Sequence, residues 1–134
     1  MTENQLDFYK RLAHALALQF GSGCEVVVHD LETADPSHSI VAIENGHVTG
    51  RRLGDGPSHV VLEALHAGDH KLEDRLSYLT KTADGKVLKS STVFIRDESG
   101  HAVGIFALNF DITVLRAAGE VIGELVGTEP SAPR

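Results

Sequence analysis

Two short turns near the end of the chain constrain its fold more than any other feature of the sequence. The segments 76–82, 87–96 and 101–111 are rich in apolar and β-branched residues, and each predicts a β-strand. The loop at 83–85 contains Asp-Gly, and the turn at 97–100 begins with Asp and ends with Gly, as type I turns prefer. Parallel strands need a crossover of about a dozen residues or more, so these three strands must form an antiparallel meander.

The first twenty residues predict an amphipathic helix. Thr2 and Gln5 have the residue types and the spacing of a capping box, in which each side chain accepts a hydrogen bond from a backbone N–H. Apolar residues then recur at helical spacing from Leu6 to Phe20. Glycines at positions 21 and 23 favour an end to the helix there, because glycine adopts positive φ at little cost.

The middle of the chain predicts two more strands and a second helix. Residues 24–31 are rich in valine, and residues 39–44 alternate before they reach Asn45-Gly46, a dipeptide typical of type I′ turns. Pro57 suits the first position of a helix, because the N–H that proline lacks has no helical partner there. Gly68 is the expected end of that helix.

A C-terminal helix completes an α+β fold. Apolar residues recur at helical spacing from Ile112 to Val126, and Asp111 is the candidate N-cap. The element order α-β-β-α-β-β-β-α predicts one antiparallel sheet of about five strands, flanked by helices, with amphipathic helices at both ends. We assign residues 1–126 to this domain and residues 127–134 to a linker or tail.

An unbroken apolar run in the last strand predicts that both faces of the sheet are covered. Residues 105–108 place apolar side chains on both faces, because successive strand residues point in opposite directions. The helix at 57–67 can cover one face, and the N-terminal helix or a second copy of the chain must cover the other. The terminal helices carry more apolar surface than a small sheet needs, so we expect a homodimer. The residues of these stripes are Leu6, Leu12 and Leu16, and Leu115, Ile122 and Leu125.

Composition excludes several classes of function. The chain has 12 Lys and Arg against 19 Asp and Glu, a net charge of −7, and no basic cluster, so we expect no specific DNA binding by this chain alone. No apolar run approaches the ~20 residues that span a bilayer, and the N-terminus does not resemble a signal peptide, so we expect no membrane contact. The single cysteine, Cys24, excludes an intrachain disulfide and favours a cytoplasmic location.

Eight histidines raise the hypothesis of a metal site. His59, Glu63 and His66 share one face of the predicted helix, and His70 follows it. Imidazole and carboxylate are sound zinc ligands, but a solvated polar stripe explains the same pattern, and we favour that interpretation. We expect no metal and no cofactor. Because the sequence has no phosphate-binding glycine loop, nucleophile elbow or Cys/His pairing, we also expect no enzyme.

Four segments of the chain, taken in order, carry a family resemblance. They are GCEVVVHDL at 23–31, NGHVTGR at 45–51, LKSST at 88–92, and Val103-Gly104 leading to Leu108-Asn109. Over residues 6–115 the chain resembles the PAS-like N-terminal sensor domain of YheO-type helix-turn-helix transcriptional regulators. The resemblance implies a PAS-like arrangement of the five-stranded sheet.

The resemblance also implies a sensory role. Such regulators join a sensor domain to a C-terminal helix-turn-helix that reads DNA, and this chain has no basic recognition helix. We therefore expect a small-molecule-sensing and dimerising domain, which contacts DNA only through a part absent from this chain. A ligand-free structural dimerisation module is the alternative, and a small metal-dependent enzyme is a remote one. The family often has Cys two residues before the Asn of the last strand, but Ala107 stands here, so no redox role is implied.

If the domain binds a small-molecule effector, the glycine-rich segment that begins at Asn45 is the expected binding region. Its glycines let the backbone approach a ligand closely and move. Arg51 can present a fork of donors to a carboxylate or similar anion. His29, Ser91 and Asn109 are the expected contacts from the sheet. The alternative is that Arg51 pairs with a surface acid and that Asn45 only forms a turn.

Overall fold

The computed structural model describes residues 1–33, 35–68, 72–131 and 133. Helices α1, α2 and α3 span Glu3–Phe20, His59–Ala67 and Thr113–Val126. Strands β1 to β5 span Cys24–Asp30, Ile40–Glu44, Arg75–Lys81, Val87–Arg96 and Ala102–Asp111. Short 3₁₀ helices lie at Pro36–His38 and Gly46–Val48. All five predicted strands are confirmed, with bounds within one residue of those expected.

The strands form one antiparallel sheet in the order β2-β1-β5-β4-β3. Strands β3, β4 and β5 are sequential neighbours, as their short turns require, and β1 pairs with both β2 and β5. The predicted α+β fold, with a five-stranded antiparallel sheet and helices at both ends, is therefore confirmed.

Alternation along the central strands gives the sheet two covered faces. Val26 and Phe106 pack with Ala17 of α1 on one face, which we call the outer face. Val27 and Ile105, their neighbours in sequence, lie on the opposite, inner face with partly buried residues of α2. The middle helix contacts one face as expected, and of the two alternatives for the other face, the N-terminal helix and a second copy, the N-terminal helix is the one observed.

The capping box of α1 is also confirmed. The Gln5 backbone N–H donates to Thr2 Oγ1 at 3.1 Å, and the Thr2 N–H donates to Gln5 Oε1 at 2.9 Å. The helix ends at Gly21, whose φ of 89° favours glycine. Capping and termination therefore set both ends of α1 locally, as the sequence predicts.

The type I′ turn predicted at Asn45-Gly46 is wrong. That turn requires positive φ at both residues, but only Asn45 has it, at 54°, and Gly46 begins a 3₁₀ helix. A Cβ on Gly46 would lie 2.6 Å from the carbonyl oxygen of Arg51. Glycine is needed here because two backbone segments approach closely, not because of a hairpin.

Two predicted helix starts also differ from the structure. Pro57 does not begin α2, because Ser58 is the N-cap and Pro57 precedes it. Ile112, not Asp111, occupies the N-cap position of α3. The Asp111 carboxylate instead accepts hydrogen bonds from the backbone N–H of Thr113 at 3.0 Å and from its hydroxyl at 2.6 Å. Asp111 therefore serves the first turn of the helix from one position earlier than expected.

Candidate functional site

A cavity of about 660 Å³ lies between the inner face of the sheet, the start of α2 and the segment 49–58. Its floor on the sheet includes the apolar residues Leu88, Phe94, Ile105 and Ala107 and the polar residues Thr92 and Asn109. Small-molecule sites are typically concave and mostly apolar, with a few polar groups that fix orientation, and their volumes run from about 300 to 1,000 Å³. The size and floor of this cavity match that description.

The register of β1 and β5 brings two sequence-predicted residues to the cavity. His29 pairs with Ile105, and Glu25 pairs with Asn109, so all four lie on the inner face. His29 and Asn109 both line the cavity. Arg51 reaches the same cavity from the segment that follows the 3₁₀ helix.

The structure does not bring Ser91 or Asn45 to the cavity. Ser91 pairs with Leu108 on the outer face, and its hydroxyl oxygen accepts a hydrogen bond from the backbone of Ser77 at 2.9 Å. Asn45 Nδ2 donates to the carbonyl oxygens of Gly21 and Cys24, at 3.1 Å and 2.9 Å. Asn45 therefore fixes the connection between α1 and β1.

Sequence reasoning missed Glu25, which is fully buried at the end of a hydrogen-bond chain beneath the cavity. Its Oε2 accepts from the Thr49 backbone N–H at 3.1 Å and the Thr49 hydroxyl at 2.6 Å. Its Oε1 accepts from Asn109 Nδ2 at 2.9 Å. Both carboxylate oxygens thus have donors from the chain, as a buried charge requires.

The chain of hydrogen bonds continues across the sheet. The Ser90 hydroxyl donates to Asn109 Oδ1 at 2.7 Å. The Ser90 oxygen lies 2.7 Å from Thr80 Oγ1, so the Thr80 hydroxyl is the donor in that contact. Ser90 therefore takes the place on the inner face that the sequence analysis assigned to Ser91. Four strands, β1, β5, β4 and β3, are joined by this one polar network.

His29 is a neutral polar group in the wall of the cavity. Its ring Nδ1 lies 2.8 Å from the hydroxyl of Ser39, and both side chains are buried. Burial lowers the pKa of His29 to about 4, and the positive charge of Arg51 contributes in the same direction. At pH 7 the imidazole is uncharged and can donate or accept a hydrogen bond.

Arg51 is half-buried and has no partner for its guanidinium among the residues that the structure describes. Its backbone is held instead, since the Arg51 N–H donates to Thr49 Oγ1 at 3.4 Å and Thr49 is bound to Glu25. The expected alternative, that Arg51 pairs with a surface acid, has no support in the described part of the chain. The guanidinium remains available to a ligand.

Among the described residues, cations outnumber carboxylates in the lining of the cavity. Arg51, Arg75 and Lys81 line it there, against one carboxylate, that of Glu73. The guanidinium of Arg75 lies 4.2 Å from the centre of the Tyr78 ring, a cation–π contact at the mouth. The charges in the described lining therefore favour an anion.

The histidine pattern on α2 falls only partly within the described residues. No group of three or more His, Cys, Asp or Glu among those residues is placed to hold a metal ion. His70 and the side chain of Glu63 lie outside the described residues. Cys24 is buried, and burial raises the pKa of its thiol. Within the described ranges, none of the helices is long and apolar enough to cross a membrane.

Solved structures place the fold in a known class. An RNA-binding light-oxygen-voltage receptor matches with a TM-score of 0.51 at 15% identity, over 93% of this chain and 38% of the receptor chain. A variant of RsLOV matches with a TM-score of 0.51 at 16% identity, over 93% of this chain and 83% of its own. These identities are low, so the likeness concerns the fold alone. The chain has the fold of PAS and light-oxygen-voltage domains.

A family profile narrows this class. The profile described as the YheO-like PAS domain matches residues 1–127, nearly the whole chain. The chain therefore belongs to the YheO-like PAS family, and the resemblance derived from its four sequence segments is confirmed.

Two curated relatives illustrate the context of this domain. The protein YheO of Escherichia coli (strain K12) is 31% identical over 119 residues, which cover 83% of this chain and 48% of YheO. The transcriptional regulator DauR of Pseudomonas aeruginosa is 27% identical over 113 residues, which cover 84% of this chain and 50% of DauR. The chain thus spans about half the length of each relative and is related to a transcriptional regulator.

Proposed function

We propose that this chain is the small-molecule-sensing domain of a bacterial transcriptional regulator. The observation that supports a sensing role is the cavity with Arg51 in its wall, whose guanidinium has no partner among the described residues. A structural scaffold has no need of a cavity of about 660 Å³ lined by polar side chains. Relationship to a transcriptional regulator supports the regulatory part of the proposal.

DNA contact is assigned to another part of such a regulator. A net charge of −7 disfavours contact with phosphates, which proteins bind through clustered Lys and Arg. We propose that a helix-turn-helix segment outside these residues reads DNA, and that the regulator acts in the cytoplasm.

An enzymatic role has little support. The Ser39–His29 contact of 2.8 Å has the distance of a nucleophile and its base. Ser39, however, is fully buried and does not line the cavity. Its hydroxyl is therefore not presented to a substrate, and we assign the pair a structural role.

We also propose that the domain forms a homodimer through its terminal helices. Helix α3 has no buried residue, and its apolar residues Leu115, Ile122 and Leu125 are 59%, 59% and 79% exposed. Leu12 and Leu16, expected at the interface, instead pack partly against the core of their own chain. The exposed apolar residues of α1 are Phe8, Leu18 and Phe20. A second copy would cover these surfaces, since large exposed apolar patches are uncommon on monomers.

Native mass spectrometry of the chain, purified under native conditions, tests sensing and dimerisation together. The expected result is a dimer that carries an additional small mass. The variant Ala107→Leu, which adds side-chain volume to the cavity floor, should remain folded by circular dichroism and lose that mass. A dimer without bound mass, and without stabilisation by any compound of a metabolite collection, would support the ligand-free dimerisation module instead. A monomer in sedimentation at micromolar concentration would reject the dimer.

A further inference from the structure

We propose that the cavity binds an organic acid, a single carboxylate on an apolar body, and that the carboxylate pairs with Arg51. This inference rests on the proposed sensing function and adds the chemical class of the ligand.

The first support is the state of the Arg51 side chain. Its guanidinium is half-buried at the cavity and has no hydrogen-bond or ion-pair partner within the described ranges. A guanidinium offers five donors in a planar fork, and a carboxylate satisfies two of them at once. A partly buried charge without a partner is costly, so an anionic ligand would supply what the chain does not.

The second support is that the chain fixes the position of this arginine. The Arg51 N–H donates to Thr49 Oγ1, and both the backbone and the hydroxyl of Thr49 donate to the buried Glu25 carboxylate. The carbonyl oxygen of Arg51 packs closely against Gly46. Because both the N–H and the carbonyl of Arg51 are held in place, less backbone entropy is lost when a ligand binds.

The third support is the apolar part of the cavity floor. Leu88, Phe94, Ile105 and Ala107 offer no charge or side-chain hydrogen bond to a ligand, so they favour an apolar body. The other lining cations lie at exposed positions, and Arg75 already stacks on Tyr78. Arg51 is the half-buried cation that is available to a ligand. One cation matches one negative charge, which favours a carboxylate over a doubly charged phosphate.

Matched acid and amide probes test the inference directly. Calorimetry would measure binding of phenylacetate, benzoate and hexanoate, and of phenylacetamide, benzamide and hexanamide, to the full chain. We expect at least one acid to bind, and its amide to bind about tenfold to a hundredfold more weakly. Inorganic phosphate and sulfate, which lack an apolar body, should bind more weakly than the acid.

Two neighbouring arginines give a matched pair of variants. Arg51→Gln should abolish the preference for acid over amide, and Arg51→Lys should restore part of it, because it keeps the charge but not the fork. Arg52→Gln makes the same charge change at an exposed position that does not line the cavity, and the preference should survive. Circular dichroism would check that all three variants fold.

The outcomes separate this inference from the proposed function. Binding of an amide or another neutral compound in the cavity, unaffected by Arg51→Gln, would reject the organic acid and leave sensing intact. An acid whose binding is weakened equally by the Arg51→Gln and Arg52→Gln variants would also reject the role of Arg51. If no acid, amide or co-purified compound binds at all, both the inference and the sensing function fail.

Discussion

Lowering the pH from 7 to 5 should destabilise this protein through His29. Burial lowers the pKa of His29 to about 4 in the folded state, with a further contribution from Arg51, whereas an unperturbed histidine has a pKa of about 6.5. Between these values the unfolded chain binds a proton that the folded chain does not. Stability falls with falling pH wherever the unfolded state binds more protons, so the loss begins near pH 6.5 and is complete near pH 4.

The size of the effect follows from the two pKa values. One pKa unit corresponds to about 1.4 kcal/mol, so the full window corresponds to about 3 kcal/mol and the range from pH 7 to pH 5 to about 2 kcal/mol. Asp35, Asp84 and Asp97 have pKa values lowered mainly by hydrogen bonds from neighbouring hydroxyls, so they titrate below 3.8. Their titration lies outside the range from pH 7 to pH 5.

Urea unfolding at pH 7, 6 and 5 would measure this loss in the unmodified protein and in His29→Gln. The variant carries no group that titrates at this site, so it should lose about 2 kcal/mol less over the range. His66→Gln, at an exposed position of α2, should keep the full loss. Equal pH dependence in the unmodified protein and His29→Gln would refute the reasoning. So would a His29 ring that titrates near pH 6.5 by NMR.

Three further changes test the packing around the site by urea unfolding at pH 7. Glu25→Gln places an amide among donors that need an acceptor and should cost about 2–3 kcal/mol, whereas the exposed Glu98→Gln should cost less than about 0.5 kcal/mol; equal effects would contradict the network. Gly46→Ala should cost about 1–3 kcal/mol, because its Cβ would meet the Arg51 carbonyl at 2.6 Å. An unchanged midpoint would show that the loop yields freely. Gly123→Ala should stabilise α3 by up to about 1 kcal/mol, because nothing lies within 4 Å of the added Cβ; a loss would mean that this position is packed in solution.

Local patterns predicted the elements that local interactions determine. The meander β3-β4-β5 follows from turns of a few residues, and the capping box of α1 from Thr2 and Gln5, three positions apart. Asn45-Gly46 failed because its preference for a hairpin turn competes with a contact to Arg51 that the local sequence does not encode. Tertiary packing decides such positions.

The direction in which each strand residue points explains why the sequence predicts some residues of the candidate site correctly and others not. His29 and Asn109 were expected at the site, but only the β1–β5 register shows that they share a face. The run Ser90-Ser91-Thr92 is polar at every position, so alternation gives no signal for which residues point inward. Ser90 and Thr92 are the inward residues, because they lie opposite Asn109 and Ala107, whereas Ser91 points outward.

The sequence alone does not show which charged residue the fold satisfies internally and which it leaves for a ligand, as Glu25 and Arg51 illustrate. Glu25 lies four residues before His29 in β1, so strand alternation alone could have placed it on the inner face. From the sequence alone, Glu25 and Arg51 are one acidic and one basic residue near the same predicted sheet, and nothing distinguishes their roles. In the fold, three donors from Thr49 and Asn109 satisfy Glu25, and one of these residues lies 84 positions away. Arg51 has no such partner in the described chain. A charge that the fold satisfies acts in stability, and a fixed charge that it leaves unsatisfied at a cavity is the one available for recognition.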